Sequence, residues 1–571
     1  MSATLENTSV KYSDLISEIE TGQVKIPQFQ RKFVWSVKAS AKLLDSIIKG
    51  YPIGTFIYWR TNERLRSIRN LGNITLPEPQ QGEFVNYVLD GQQRLTSLYA
   101  SLKGVAIIDA DGNTTDYSHI YVDLLAKNDE DVIITEIENK NQTDIIKLTD
   151  LMNGGLTMLA SFPPEHHTKI EKLKLILTSY AYSVINLKNA SIDVATEVFT
   201  RLNVGGKSLT LFEIMVAKTY HIYENEIDET TQQIKVFDLA VKYEELIKQL
   251  KVSHYETIPS ATILQVVAML LTKNCTKKSI LQLDKMKFIS IWDEAVECIK
   301  SSIDFFRSYG IPVSRILPYY ALIVPFSYYF YKHKQSPVGK VKEMLEDFFW
   351  RASLGFRYSS GVESKFAQDI TKIDSIIEGK LPKYEWAINV NREFVETNGW
   401  FSTGKSFIKA VLCLYAKQKP KKFDNNLDVI IDNSYLKIAS SKNYHHFFPK
   451  AWLKKNQPAV DGFKVNHIVN ITIVDDFLNK NVIRAKSPSV YMTDFKQKNT
   501  ELSEAMKTHL IDVENDGIWS NDFITFYNNR LTAITNKLSS FIIPQDTTGQ
   551  ALEVYEDVEE VEEETNEINI D

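Results

Sequence analysis

From Lys235 to Asn398, apolar residues recur every third or fourth position, the spacing that gathers them on one face of a helix. Val236, Leu239, Ala240, Tyr243, Leu246, Ile247 and Leu250 make one such stripe, and Ile263, Leu264, Val267, Leu270 and Leu271 begin another. Gln335-Ser336-Pro337-Val338-Gly339 interrupts the pattern and predicts a loop between two helices. The apolar run from Tyr319 to Tyr331 is too short to span a bilayer and contains Pro325, so it reads as a buried helix or core strand. Upstream, Val85-Asn86-Tyr87-Val88-Leu89 reads as a strand and Asp90-Gly91 as a tight turn. Gln92 to Lys103 follows as a helix with Leu95, Leu98 and Leu102 at helical spacing. Downstream, Tyr444 to Phe448 is a β-prone run stopped by Pro449, and Val469 to Val474 is a second. Asp475-Asp476 then signals a helix start, which places Asn479 one turn inside that helix.

Composition narrows the class. A chain of 571 residues is too long for one core and predicts two or three domains. Its 44% hydrophobic and 24% charged residues are those of a folded, water-facing protein. Met1 to Val10 is mostly polar, so no signal peptide is expected, and with no apolar run long enough for a membrane the expected location is the cytoplasm. Cys275, Cys298 and Cys413 form no CxxC pair, which suits a reducing compartment and argues against a zinc ribbon. The net charge of −6 hides an uneven distribution. Glu553 to Asp571 holds ten acidic residues and no basic ones, whereas Lys405 to Lys537 holds 20 Lys and Arg against 13 Asp and Glu. A basic segment suits a partner that presents phosphates. The acidic tail reads as low-complexity and solubilising, with competition against DNA for the basic surface as the sharper alternative.

Two constellations carry chemistry. His445-His446-Phe447-Phe448-Pro449, followed by Asn470 and then Asn479, has the strand, strand and helix layout of an HNH, or ββα-metal, nuclease. Cutting a phosphodiester needs a base to activate water and a divalent cation to neutralise charge on the phosphate. One imidazole serves as the base, and a second imidazole with an Asn carbonyl holds a cation with open water positions. His467 reads as framing for the second strand. The other pair, His166-His167 after Pro163-Pro164-Glu165, lacks such partners and reads as a surface loop. The second constellation is Asp90-Gly91-Gln92-Gln93-Arg94, at a strand-to-helix junction. Unpaired N–H groups and the helix dipole favour an anion there, Gly91 permits close approach, and Arg94 offers a planar cationic fork. Asp-Gly turns before helices are also common as plain structure, and the residues alone leave both readings open.

Both constellations resemble the GmrSD-type modification-dependent restriction enzymes, a group that includes BrxU and SspE. His445-His446-Phe447-Phe448-Pro449, Asn470-Ile471-Thr472-Ile473, Asn479-Lys480-Asn481-Val482 and Lys486-Ser487-Pro488 parallel that family's C-terminal nuclease pattern. The resemblance implies His446 as general base, Asn470 as the residue that orients it, and Asn479 as a metal ligand. His445, the second metal ligand, stands where the family often has Asp. Asp90 to Thr96 matches the family's DGQQR signature. Ile26 to Trp35 is similar to its "IPxYQRxYxW" opening, and Phe199 to Leu209 to its "FxRxNxxGxxL" segment. These imply a ParB/sulfiredoxin-like domain that binds or hydrolyses nucleoside triphosphates, lined by Arg31, Asp90, Gly91, Gln92, Gln93 and Arg94, with Arg201 and Asn203 as further contributors. Asn203 and Gly205-Gly206 equally suit a turn into a helix from Leu211 to Tyr220. Trp350-Arg351 and Arg357-Tyr358-Ser359 also resemble the group and imply a coupling or DNA-contact role.

The expected protein is thus α+β and multidomain. It comprises a nucleotide-binding domain over 1–234, a helical middle over 235–398, an HNH domain over 399–545 and an acidic tail over 546–571. The expected activity is antiphage (type IV) cleavage of modified double-stranded phage DNA with magnesium or manganese, controlled by GTP, ATP or another nucleoside triphosphate. The alternative is a nucleotide-controlled DNA-binding or sensing protein with a degenerate nuclease centre. A homodimer is left open.

Overall fold

The structure is a computed structural model that describes residues 3–545 except 28–32, 66–69, 72–73, 76, 78, 80–81, 109–113, 128–129, 139, 203–209, 228–233, 386–387, 434–443 and 475–482. The fold is mixed α and β, and the chain divides into two compact units, one within Met1–Leu239 and one within Ala240–Thr565. The border expected near residue 398 falls inside the second unit.

The N-terminal unit is built on a five-stranded mixed sheet in the order Thr4–Lys11, Ala181–Lys188, Phe56–Thr61, Val85–Asp90 and Val24–Lys25. Alternation along the strands sends Phe56, Tyr58, Val88, Tyr182 and Val184 into a core shared with Leu44, Ile47, Leu95 and Leu98 of the helices Val37–Ile48 and Gln92–Lys103. Gln92–Lys103 forms where the sequence pattern places it, and the strand before it runs one residue further than expected, over Val85–Asp90. One irregularity matters at the strand end. Tyr58 opposes Val88 but Ile57 opposes Asp90, so Leu89 is an extra residue in a bulge just before the turn.

Two expectations in this unit are corrected. His166-His167 is not a loop: Pro164 is the first residue of the helix Pro164–Ser179, where its fixed φ suits the first turn and its missing N–H is not needed. His166 is buried there beside Asp144, 3.2 Å away. Val236 lies in the strand Ile234–Phe237, which pairs with His221–Ile227, and the helical stripe starts only at Leu239. A short β-branched run can satisfy a helical spacing by coincidence.

The C-terminal unit is mostly helical. The helix Lys285–Ser308 packs on Ile323–Lys332, which also meets Ser260–Thr272 and Val362–Ile377. The apolar run around Pro325 is thus a buried helix, with the proline in its first turn. Phe305, Phe306, Phe326, Phe348 and Phe349 form an aromatic core. Trp350, Arg351 and Arg357 belong to this interior, which corrects the DNA-contact reading. Arg351 pairs with Asp347 and Arg357 with Asp369, each arginine and carboxylate buried together. The same Asp347 accepts from Ile543 N at 2.7 Å, Arg351 donates to Ile543 O, and the Phe541 ring stacks on Trp350. The Lys405–Lys537 region contributes the helices Ser406–Lys417 and Phe523–Ser539, and an antiparallel pair of strands, Tyr444–His446 and Ile471–Ile473.

Candidate functional site

The two short strands pair with His445 opposite Thr472 and His446 opposite Ile471, and their connection packs on Tyr491, Phe523 and Phe526. Neighbouring residues on a strand face opposite ways, so the two imidazoles diverge. His445 is buried, its ring edge-on to Tyr491 at 6.0 Å between centroids. His446 is partly exposed, and its Nε2 lies 3.1 Å from Asn466 Oδ1. Burial pushes the His446 imidazole down to about 4, helped by the positive charge of Lys450 and opposed by the bond to Asn466. At neutral pH this side chain is an uncharged base.

Asn470 is fully buried and touches backbone. Its Oδ1 accepts from Phe448 N at 2.9 Å, and its Nδ2 donates to Phe448 O and Val465 O, each at 3.0 Å. Its carbonyl accepts from Phe447 N at 2.8 Å. Asn470 therefore fastens the turn that leaves His446, while the side chain bonded to the His446 ring is Asn466. Below them Arg530, also buried, donates to Val469 O, to Ile471 O at 2.7 Å and to His509 O. His467 is framework, as expected: its Nε2 meets Glu396 O at 3.0 Å and its Nδ1 accepts from Val469 N. Sequence reasoning missed Asn466 and Arg530. Neither lies in a quoted motif, and each acts through a partner distant in sequence.

Asn479 lies outside the described residues. Among the described residues, no group of three or more His, Cys, Asp or Glu side chains converges as a metal cage. A centre at this hairpin would rely on few protein ligands. Imidazole nitrogen with an amide oxygen is a donor set that suits a borderline divalent cation with open water positions.

In the N-terminal unit, Asp90, Gly91, Gln92, Gln93 and Arg94 come together where the strand Val85–Asp90 meets the helix Gln92–Lys103. The helix starts with no side-chain cap, and Gly91 has φ of +93°. A Cβ on Gly91 would lie 2.5 Å from the Phe56 ring, and one on Gly54 would lie 2.3 Å from Arg94 Nη1. These glycines admit the Arg94 guanidinium, which donates to Ile53 O at 2.7 Å, Thr55 O at 3.1 Å and Asp90 Oδ2 at 3.0 Å. Much of the cationic fork is therefore spent inside the fold. Gln93 Oε1 accepts from Val34 N at 2.9 Å, which ties this junction to the segment after Arg31. Arg31 and Asn203 themselves lie outside the described residues. Arg201 is on the helix Ile192–Leu202, which packs on the strand Val85–Asp90, and its guanidinium meets Glu197 at 2.6 Å on the surface.

In this α+β unit a strand that ends in a bulge thus runs into a helix start with no side-chain cap, with Arg94 held by Ile53, Thr55 and Asp90. Residues 12–220 match the GmrSD restriction endonuclease N-terminal domain. Over 600 aligned residues the chain is 25% identical to an uncharacterized protein of Methanocaldococcus jannaschii, an alignment that takes in 92% of this chain and 96% of that protein. Among the described residues, no helix is long and apolar enough to cross a membrane.

Proposed function

We propose that this protein is a DNA endonuclease of the restriction type, directed at modified double-stranded phage DNA in the cytoplasm. In this reading residues 399–545 hold an HNH centre of ββα-metal type. Residues 1–234 form a ParB/sulfiredoxin-like nucleotide-binding domain, 235–398 a helical middle and 546–571 an acidic tail. What supports the reading is the placement of His446: an imidazole on a strand whose outgoing turn is fastened by Asn470, with its Nε2 3.1 Å from Asn466 Oδ1. His446 takes a proton from water as the water attacks phosphorus and the bond to one bridging oxygen breaks. His445 and Asn479 would hold magnesium or manganese, which when bound neutralises charge on the phosphate. His446→Ala is expected to lower cleavage about a hundred-fold or more while DNA binding persists. Wild-type rates from that variant would refute the assignment.

The nucleotide reading rests on the uncapped start of the helix Gln92–Lys103, which presents backbone N–H groups and the positive end of the helix dipole to a phosphate of GTP, ATP or a related nucleotide. Asp90 and Arg94 brace that start from within. Control then arises if the nucleotide prefers one of two states of the protein. Asp90→Ala and Arg94→Ala should abolish any nucleotide effect on cleavage. Calorimetry that finds no binding, with cleavage indifferent to every nucleoside triphosphate, would refute the control. The burial of His445 against Tyr491 favours the second reading, a nucleotide-controlled DNA sensor with a degenerate centre. Metal-dependent nicking of a plasmid separates the two.

A further inference from the structure

Asn466 is fixed from three sides. Its backbone N–H donates to Gly462 O at 3.1 Å and its carbonyl accepts from Phe401 N at 2.9 Å. Its amide nitrogen donates to Phe401 O at 3.3 Å. An amide nitrogen is a donor and its oxygen an acceptor, so the contact with Phe401 O decides which way the amide lies. The oxygen must face His446. An oxygen there needs a donor, and the imidazole atom facing it is Nε2. The proton of the neutral ring is therefore on Nε2, and the basic lone pair is on Nδ1. The opposite tautomer would set a lone pair against the Asn466 oxygen.

We infer that Asn466 is a positioning residue that selects the Nε2–H tautomer of His446, so that Nδ1 is the atom that receives the proton from attacking water. This deepens the nuclease reading, and its catalytic half rests on that reading. The segment Gly399–Phe401 is then part of the site's frame: Gly399 O accepts from Ile468 N at 2.7 Å, and Trp400 bridges His467. Through Phe401 it fixes the amide that fixes the imidazole.

The test uses the full chain labelled with 15N-histidine, and the His446 ring signals are assigned by their loss in His446→Ala. Two-bond 1H–15N spectra should show the Nε2–H tautomer in the wild type and a mixture of tautomers in Asn466→Ala. A wild-type ring protonated on Nδ1 overturns the inference, whatever the protein's activity. In parallel, steady-state cleavage is measured with magnesium or manganese on a phage DNA that the wild type cuts. Asn466→Ala should lose about ten- to a hundred-fold in kcat with KM for DNA unchanged and only a small fall in unfolding temperature, from the lost bond to Phe401 O. Asn466→Asp keeps an acceptor toward Nε2 but sets its other oxygen against Phe401 O, so it should recover the rate only in part. Inactive His446→Ala beside fully active Asn466→Ala would overturn the inference and leave the nuclease reading intact. Fully active His446→Ala would instead sink the nuclease reading, and the ring spectra would still decide the tautomer.

Discussion

Replacing Asn470 by alanine separates a structural role from a catalytic one. The variant strips partners from Phe448 N, Phe448 O and Val465 O, which surround a side chain with no solvent exposure. A buried backbone group left unmet costs about 1–3 kcal/mol. Three of them, with partial relaxation around the lost amide, give a destabilisation of about 3–5 kcal/mol. At roughly 2 °C per kcal/mol, the transition of the C-terminal unit should fall by about 6–10 °C. Differential scanning calorimetry of the full chain measures it. Asn470→Asp is a demanding companion: it keeps the acceptor for Phe448 N but sets carboxylate oxygen against two carbonyls, so it should be no more stable than the alanine variant. An unchanged unfolding temperature in Asn470→Ala, with cleavage lost, would refute the fastening role and return Asn470 to the chemistry.

Other outcomes follow from single contacts. Arg530→Met removes the donor shared by Val469 O, Ile471 O and His509 O, and although it also removes a buried charge it should destabilise the C-terminal unit by about 2–4 kcal/mol, read as a shift in its urea midpoint. Gly91→Val forces a branched side chain into a left-handed φ and against Phe56, so the N-terminal unit should lose about 2–4 kcal/mol or fail to accumulate in soluble form. Burial pushes His467 and His509 down to about 4. The unfolded chain binds their protons from about pH 6.5 and the folded chain only near 4, so stability should hold above pH 6.5 and decline by roughly 2–3 kcal/mol per histidine as pH falls to 4. Unfolding temperatures of His509→Gln across that interval should fall less steeply than those of the wild type.

Much of the local structure was legible because it repeats in the chain. Leu95, Leu98 and Leu102 mark one helix face, and the run before Asp90 marks a strand, so the helix starts where expected and the strand runs one residue further, through Asp90. The His445-His446 strand and its partner were legible for the same reason, although the partner begins with a 3-10 turn over Ile468–Asn470. Relations across the fold were hidden. Nothing near Asn466 signals that Phe401 will fix its amide, because that contact spans 65 positions. Arg94 looks like a free phosphate fork until Ile53 and Thr55 turn their carbonyls toward it. His166 reads as a loop residue because a proline pair suggests a break, whereas the second proline starts a helix.

The bond between Asp347 and Ile543 joins residues 196 positions apart, and Gln545 adds a second tie to Pro382. In engineering terms, the stretch that carries the His446 hairpin is not a cassette. A fragment of residues 399–545 would leave behind Asp347, Arg351, Trp350 and Pro382, and its last residues would lose those partners. A graft of this hairpin onto another protein must carry the helices from Ser260 onward with it.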